Sequence, residues 1–254
     1  MKQLIRNKSS GFTLIEMIVV IVILGVLAAG ISSFIKFSTQ IYTEATTREQ
    51  LVSSARFAIE RLNRDVRNAL PNSVRLTNAG ECLEFTPIIA TTTYTDIPVA
   101  PEGARNTINV IEFDNNFAGT TDIDWSVVVY PLNADDVYDD DNNNNNKVFD
   151  VSSISLPADV RTITLDNSVL FAEDSPTQRL YFINKKASVK YCLQNNGLSR
   201  NDILMAQDIN TTSSAFDISP PTLQRNAMVQ VHFQFEKNNE TVTFNNEIQV
   251  LNVP

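Results

Sequence analysis

Residues 12–35 read FTLIEMIVVIVILGVLAAGISSFI, and Glu16 is the only charge among them. As a helix this run is roughly 36 Å long, against about 30 Å of bilayer hydrocarbon. A membrane-crossing helix is the reading it imposes. Lys2, Arg6 and Lys8 are the only charges before Gly11. Basic residues on that side predict a cytoplasmic N-terminus, with the rest of the chain facing outward.

Chain length and charge narrow the partners. The chain has 254 residues and a formal net charge of -9. That is ample for a long helix plus one packed domain. Without its basic leader the chain is more acidic still. Such a surface repels nucleic acid and anionic headgroups, so no nucleic-acid partner is expected.

Two kinds of N-terminal signal compete for the apolar run. A secretory signal places its small-residue cleavage site after the run, and the run is then lost. Here Gly11-Phe12-Thr13-Leu14-Ile15-Glu16 stands at its start. This hexad after a short basic leader resembles the processing site of type IV prepilins and pseudopilins. The resemblance implies cleavage between Gly11 and Phe12 by a prepilin peptidase, N-methylation of Phe12 by the same enzyme, and retention of the apolar helix. An ionised carboxylate near a bilayer centre costs about 3 kcal/mol, less near the interface. By the resemblance, Glu16 serves assembly by pairing with the Phe12 amine of a neighbouring subunit. A carboxylate held near the headgroups is the alternative. Many major pilins carry a proline near the position of Ser33; this chain keeps Gly25 and Gly30 but lacks that proline.

Beyond Thr39 the pattern turns amphipathic. Val52, Ala55, Ile59, Leu62, Val66 and Ala69 recur at spacings of three and four, which predicts one apolar stripe. Pro71 is expected to end the helix. The expected organisation is a leader over 1–11, a transmembrane half over 12–35, an amphipathic half over 36–70, and a β-rich periplasmic domain over 71–254. Residues 56–75 read RFAIERLNRDVRNALPNSVR, and residues 247–254 read EIQVLNVP. Both resemble the J-type minor pseudopilins, and most of all those of MSHA pilus biogenesis.

After Pro71 the period shortens to that of strands. The clearest is over 227–236, where Val229, Val231, Phe233 and Phe235 face one way. Lys237-Asn238-Asn239 reads as a turn, Val242 and Phe244 as a returning strand, and 248–253 as a last strand. The fold class expected is α+β: a long N-terminal helix packed on a mostly antiparallel, pilin-like β domain.

Cys82 and Cys192 are the two cysteines, with no CxxC or Cys/His cluster beside them. Outside the cytoplasm an even pair suggests one disulfide; two separate buried thiols is the alternative. The Asp/Asn-rich stretch over 133–150 reads as an exposed loop. It also matches a calcium-loop count, with Asp139, Asp141, Asn143, Asn145 and Asp150 at positions 1, 3, 5, 7 and 12. Asn144 stands where that loop needs glycine, and Asp150 replaces the usual glutamate. No cofactor is expected apart from this calcium reading. His232 is the single histidine, and no catalytic motif occurs, so no enzyme is expected.

These features point to a minor pilin or pseudopilin, first in the inner membrane with a single span, then in a filament. Its expected partners are the prepilin peptidase, the inner membrane, and other minor and major pilins. Two alternatives stay open. A minor pseudopilin of a type II secretion system shares the same motif. A tip adhesin needs an exposed pocket, for which Trp125, Tyr130 and Tyr138 are the sequence hint.

Overall fold

The computed structural model describes residues 11–113, 124–138, 147–156, 158–184, 187–220 and 226–250. The chain divides into two units, Met1–Glu49 and Gln50–Pro254. Helix α1 covers Leu14–Arg67. It is an α+β chain: one long N-terminal helix, packed from residue 50 onward on an antiparallel β domain.

Leu51, Ala55, Ala58, Leu62, Val66 and Ala69 form the buried stripe. The expected stripe is correct at Ala55, Leu62, Val66 and Ala69 but is rotated elsewhere. Val52 and Ile59 lie on its flank, half-buried, while Leu51 and Ala58 take the centre. Ala55 and Ala58, the alanines of that line within α1, let the helix approach the strands closely. α1 ends at Arg67, four residues before Pro71, because Asn68 and Leu70 turn their backbones to the sheet. Ile88 donates its N–H to the Asn68 carbonyl at 2.9 Å, and Leu70 donates to that of Thr86 at 2.8 Å.

Strands β1 (Arg75–Thr77), β2 (Cys82–Phe85), β9 (Val189–Gln194), β10 (Gly197–Arg200) and β11 (Ile203–Gln207) form a five-stranded sheet in that order. Strands β12 (Ala215–Ser219), β13 (Met228–Lys237) and β14 (Glu240–Gln249) form a second sheet. Val229, Val231, Phe233 and Phe235 are buried on one face of β13, as expected. β14 already contains Ile248 and Gln249, so the separate last strand expected over 248–253 does not begin there; residues 251–254 lie outside the described residues. Both sheets pack on the helix stripe in one core with Leu83, Phe85, Tyr191 and Ile248.

Between β2 and β9 the chain builds a closed antiparallel barrel, β3-β4-β7-β6-β5-β8. Its members are β3 (Ile88–Asp96), β4 (Arg105–Ile111), β5 (Ser126–Val129), β6 (Val148–Ile154), β7 (Val160–Val169) and β8 (Arg179–Ile183). The inside is a second core, with Ile108, Val110, Val127, Ile163, Leu165 and Phe182. Leu70 packs on Val128, Tyr181 and Ile183, which point outward from the same wall. β5 and β8 are thus covered on both faces over Val127–Val129 and Leu180–Ile183, which is why those stretches show no polar alternation.

The hairpin turns use little glycine. Asn195-Asn196, Asn201-Asp202 and Asn238-Asn239 are two-residue loops with φ from 47° to 65°. That is the left-handed conformation both central residues of a type I′ turn require. Asn and Asp tolerate it because their short polar side chains bond locally.

Burial raises the phenol pKa of Tyr94, Tyr138, Tyr181 and Tyr191 above the ordinary value of 10.0. In the unfolded chain each phenol ionises near pH 10; in the fold it stays neutral to higher pH. Stability is therefore full below about pH 10 and falls as pH rises above it. Denaturant midpoints should be level from about pH 7 to 9 and decline beyond 10. Tyr138→Phe and Tyr191→Phe should flatten that decline; an equally steep decline in both variants would refute the assignment.

Candidate processing and assembly site

Gly11, Phe12 and Thr13 precede the helix outside any regular element. Among the described residues nothing lies within 4 Å of where a Cβ on Gly11 would stand, and Phe12 is 76 % exposed. Thr13 caps the helix: its Oγ1 accepts the Glu16 N–H at 3.4 Å, and its carbonyl accepts that of Met17 at 3.2 Å. Thr13-Leu14-Ile15-Glu16 is the Thr-x-x-Glu pattern of a helix start. That signal in the hexad sets the first helical residue at Leu14 rather than Phe12. Glu16 stands in the first turn, where the helix dipole favours a negative charge.

Past the cap, the apolar side chains have no protein cover. The span that is apolar enough to cross a membrane has 0 % of its residues buried. The Ser32 hydroxyl donates back to the Ala28 carbonyl at 2.8 Å, and just beyond the span Thr39 Oγ1 donates to that of Ile35 at 2.8 Å. The surface offered outward is therefore almost purely apolar.

In the β domain, Cys82 and Cys192 are directly opposite each other on the paired strands β2 and β9, and their sulfurs are bonded. Asp65, near the end of α1, ties the helix to the same sheet. Its Oδ2 accepts from Arg200 Nε at 2.7 Å and from the Tyr191 hydroxyl at 2.9 Å, while Arg61 Nε lies 3.2 Å from Oδ1. Nothing in the helical periodicity marks Asp65 as different from the other charged residues around it. Its spacing to Arg61 shows only the local pair.

The stretch over 133–150 is more ordered at both ends than a solvated loop. Asn133 caps a short 3-10 turn, Ala134–Asp136, and the buried Asp136 carboxylate accepts the Leu132 N–H at 2.7 Å. Asp150 lies in β6, where its Oδ1 accepts from Ser126 Oγ at 2.6 Å. Asp139, Asp141, Asn143 and Asn145 lie outside the described residues. Trp125, Tyr130 and Tyr138 each have a partner within the fold. Trp125 packs edge-on against Phe182, Lys147 donates to the Tyr130 carbonyl at 2.9 Å, and the Arg75 guanidinium lies 3.8 Å over the Tyr138 ring. They do not converge on one exposed pocket. His232 points outward from β13 and pairs with Asn245 across the hairpin.

Residues 6–32 match the family model of the prokaryotic N-terminal methylation motif. No curated protein and no solved structure matches the chain. The motif indicates a type IV pilin-like protein and implies processing by prepilin peptidase, and the apolar helix fits membrane anchoring. It suggests a structural subunit rather than an enzyme.

The disulfide generates a stability prediction. It joins residues 110 apart in sequence, so it removes much chain entropy from the unfolded state. Cys82→Ser together with Cys192→Ser should lower stability by about 2–4 kcal/mol, below the full entropy value because unfolded chains retain structure. Denaturant melts of the two proteins check this; coincident curves would contradict it.

Proposed function

We propose that this chain is a minor pilin or pseudopilin that initiates or organises a type IV filament of the MSHA type, in a tip complex. The observation that carries the reading is the GFTLIE hexad, exposed at the head of a helix whose apolar surface has no cover. Prepilin peptidase cuts between Gly11 and Phe12 and methylates the new amine. The protein then waits in the inner membrane with one span, its β domain in the periplasm. On assembly the helix exchanges lipid for the helices of neighbouring pilins, and Glu16 meets a neighbour's Phe12 amine. In that setting the charge is paired rather than buried alone.

The large β domain supports a specialised rather than a repeating subunit. It holds a helix–sheet core and a separate barrel, so much of its surface lies away from the helix. The cysteine pair fits an oxidising periplasm.

Mass spectrometry of membrane-extracted protein should find Phe12 at the N-terminus, methylated. Substitution of Gly11 should leave uncut precursor in the membrane. Retention of Met1 in the wild-type protein would sink the reading. Glu16→Ala should be inserted and cut normally, yet co-purify poorly with partner pilins. Normal filament entry by that variant would remove the pairing role and leave the processing intact.

A further inference from the structure

A cavity of about 310 Å³ opens at one mouth of the barrel, where β5 ends at Val129, β6 begins at Val148 and β7 ends at Val169. Barrel mouths are a common place for small-molecule sites, which start at about 300 Å³. Phe149 and Phe171 form an aromatic wall, edge to face with ring centroids 4.9 Å apart. Leu132 and Leu170 line the same cavity, and each is 45 % exposed. The chain thus leaves apolar surface open to water beside two rings.

The remaining wall is charged. Lys147 Nζ donates to the Tyr130 carbonyl at 2.9 Å and stands 3.4 Å from both Asp136 Oδ2 and Glu173 Oε2. An ammonium has three N–H groups, and these partners use all three. Tyr130 holds φ at 52° to present that carbonyl, a conformation uncommon for a bulky side chain and found most often at ligand sites. Asp136 Oδ2 also accepts the Leu132 and Asn133 backbone N–H groups, so it serves the fold. Glu173 differs. Its side chain is 53 % exposed, and among the described residues Lys147 is its only partner.

Two carboxylates against one ammonium leave the cavity with one net negative charge. A ligand carboxylate would find no free donor on Lys147 and would meet Glu173. A ligand ammonium finds in Glu173 an acceptor with oxygen lone pairs to spare. A calcium ion takes about 6–8 oxygen ligands, and here an ammonium already stands between the two lining carboxylates. We propose that this barrel-mouth cavity binds a small primary amine with a compact apolar body. The ammonium pairs with Glu173, and the body lies among Leu132, Leu170 and the two phenylalanine rings. This ligand site goes beyond the filament-subunit reading and does not rest on it.

The test is a ligand-observed NMR titration of the full chain in neutral detergent, corrected by the same titration into empty micelles. Three probes share one body: phenethylamine, phenethyl alcohol and hydrocinnamate. The amine should saturate one site per chain with a Kd of about 1 mM or below, about tenfold tighter than the alcohol, as one hydrogen bond to a charged group allows. Hydrocinnamate should not bind. Glu173→Gln, at an exposed side chain, should bring the amine down to the level of the alcohol. Leu132→Ala with Leu170→Ala should weaken amine and alcohol alike, by about fivefold or more. Equal binding of amine and alcohol by the wild type, or a preference for hydrocinnamate, would overturn the proposal. So would amine binding that either variant leaves unchanged, or an amine titration that shows no saturation by about 10 mM.

Discussion

The apolar stripe of α1 is covered from two sides. Asp65 reaches β9 and β10 through Tyr191 and Arg200, and Asn63 accepts from Asn246 of β14 at 2.7 Å on the other flank. Between those polar ties lie Leu51, Ala55, Ala58, Leu62 and Val66, packed against Phe85, Tyr191, Phe233 and Phe235. Each large side chain removed from water there contributes about 1.5–3 kcal/mol. Neither sheet has this cover without the helix. β1, β2, β9, β10 and β11 present one inward row of apolar side chains, and β12, β13 and β14 another. The same helix earlier in the chain presents apolar residues on every side and no charge after Glu16 until Lys36. One continuous element therefore serves two solvents, and the change from uniform to striped apolarity marks where one gives way to the other.

The barrel is a self-contained addition to this arrangement. It leaves the sheet after β2 and returns at β9, and those two strands pair directly with each other. Its own core is separate from the helix core. Leu70, set between helix end and barrel wall, makes the join. Because that wall buries Val127, Val129 and Phe182 inward and Val128, Tyr181 and Ile183 outward, it has no solvent face to spare.

The processing motif, the long helix, the strand-rich domain and the facing rows of β13 were all legible in sequence. Each rests on local periodicity or on a contiguous motif. The barrel was not legible, for reasons visible in its strands. β3 reads IIATTTYTD, where threonines dilute the alternation although Thr92 and Tyr94 point inward. Past Ser126 and Arg179, β5 and β8 show no alternation of polar and apolar positions, so period cannot assign their faces. Closure itself depends on β3, already paired with its neighbour β4, also pairing with β8, as Ile88 does with Ile183, a separation that no local pattern encodes. At the stripe, Val52 and Ile59 looked like core because they are strongly apolar. Ala58 won the centre because the close approach to the sheet admits only a small side chain there.

The placement of the disulfide has a mechanical consequence. A pull along α1 enters the β domain at Arg67 and passes through β1 to Cys82. There the Cys82–Cys192 bond carries it straight across to β9, bypassing the stretch of chain that forms the barrel. The barrel is loaded only where the helix end touches it, at Leu70 and at the Asn68–Ile88 hydrogen bond, and not along its own chain. Tension is borne instead by one covalent bond and by shear between the helix stripe and the sheets, where many contacts must slip together before any one is lost.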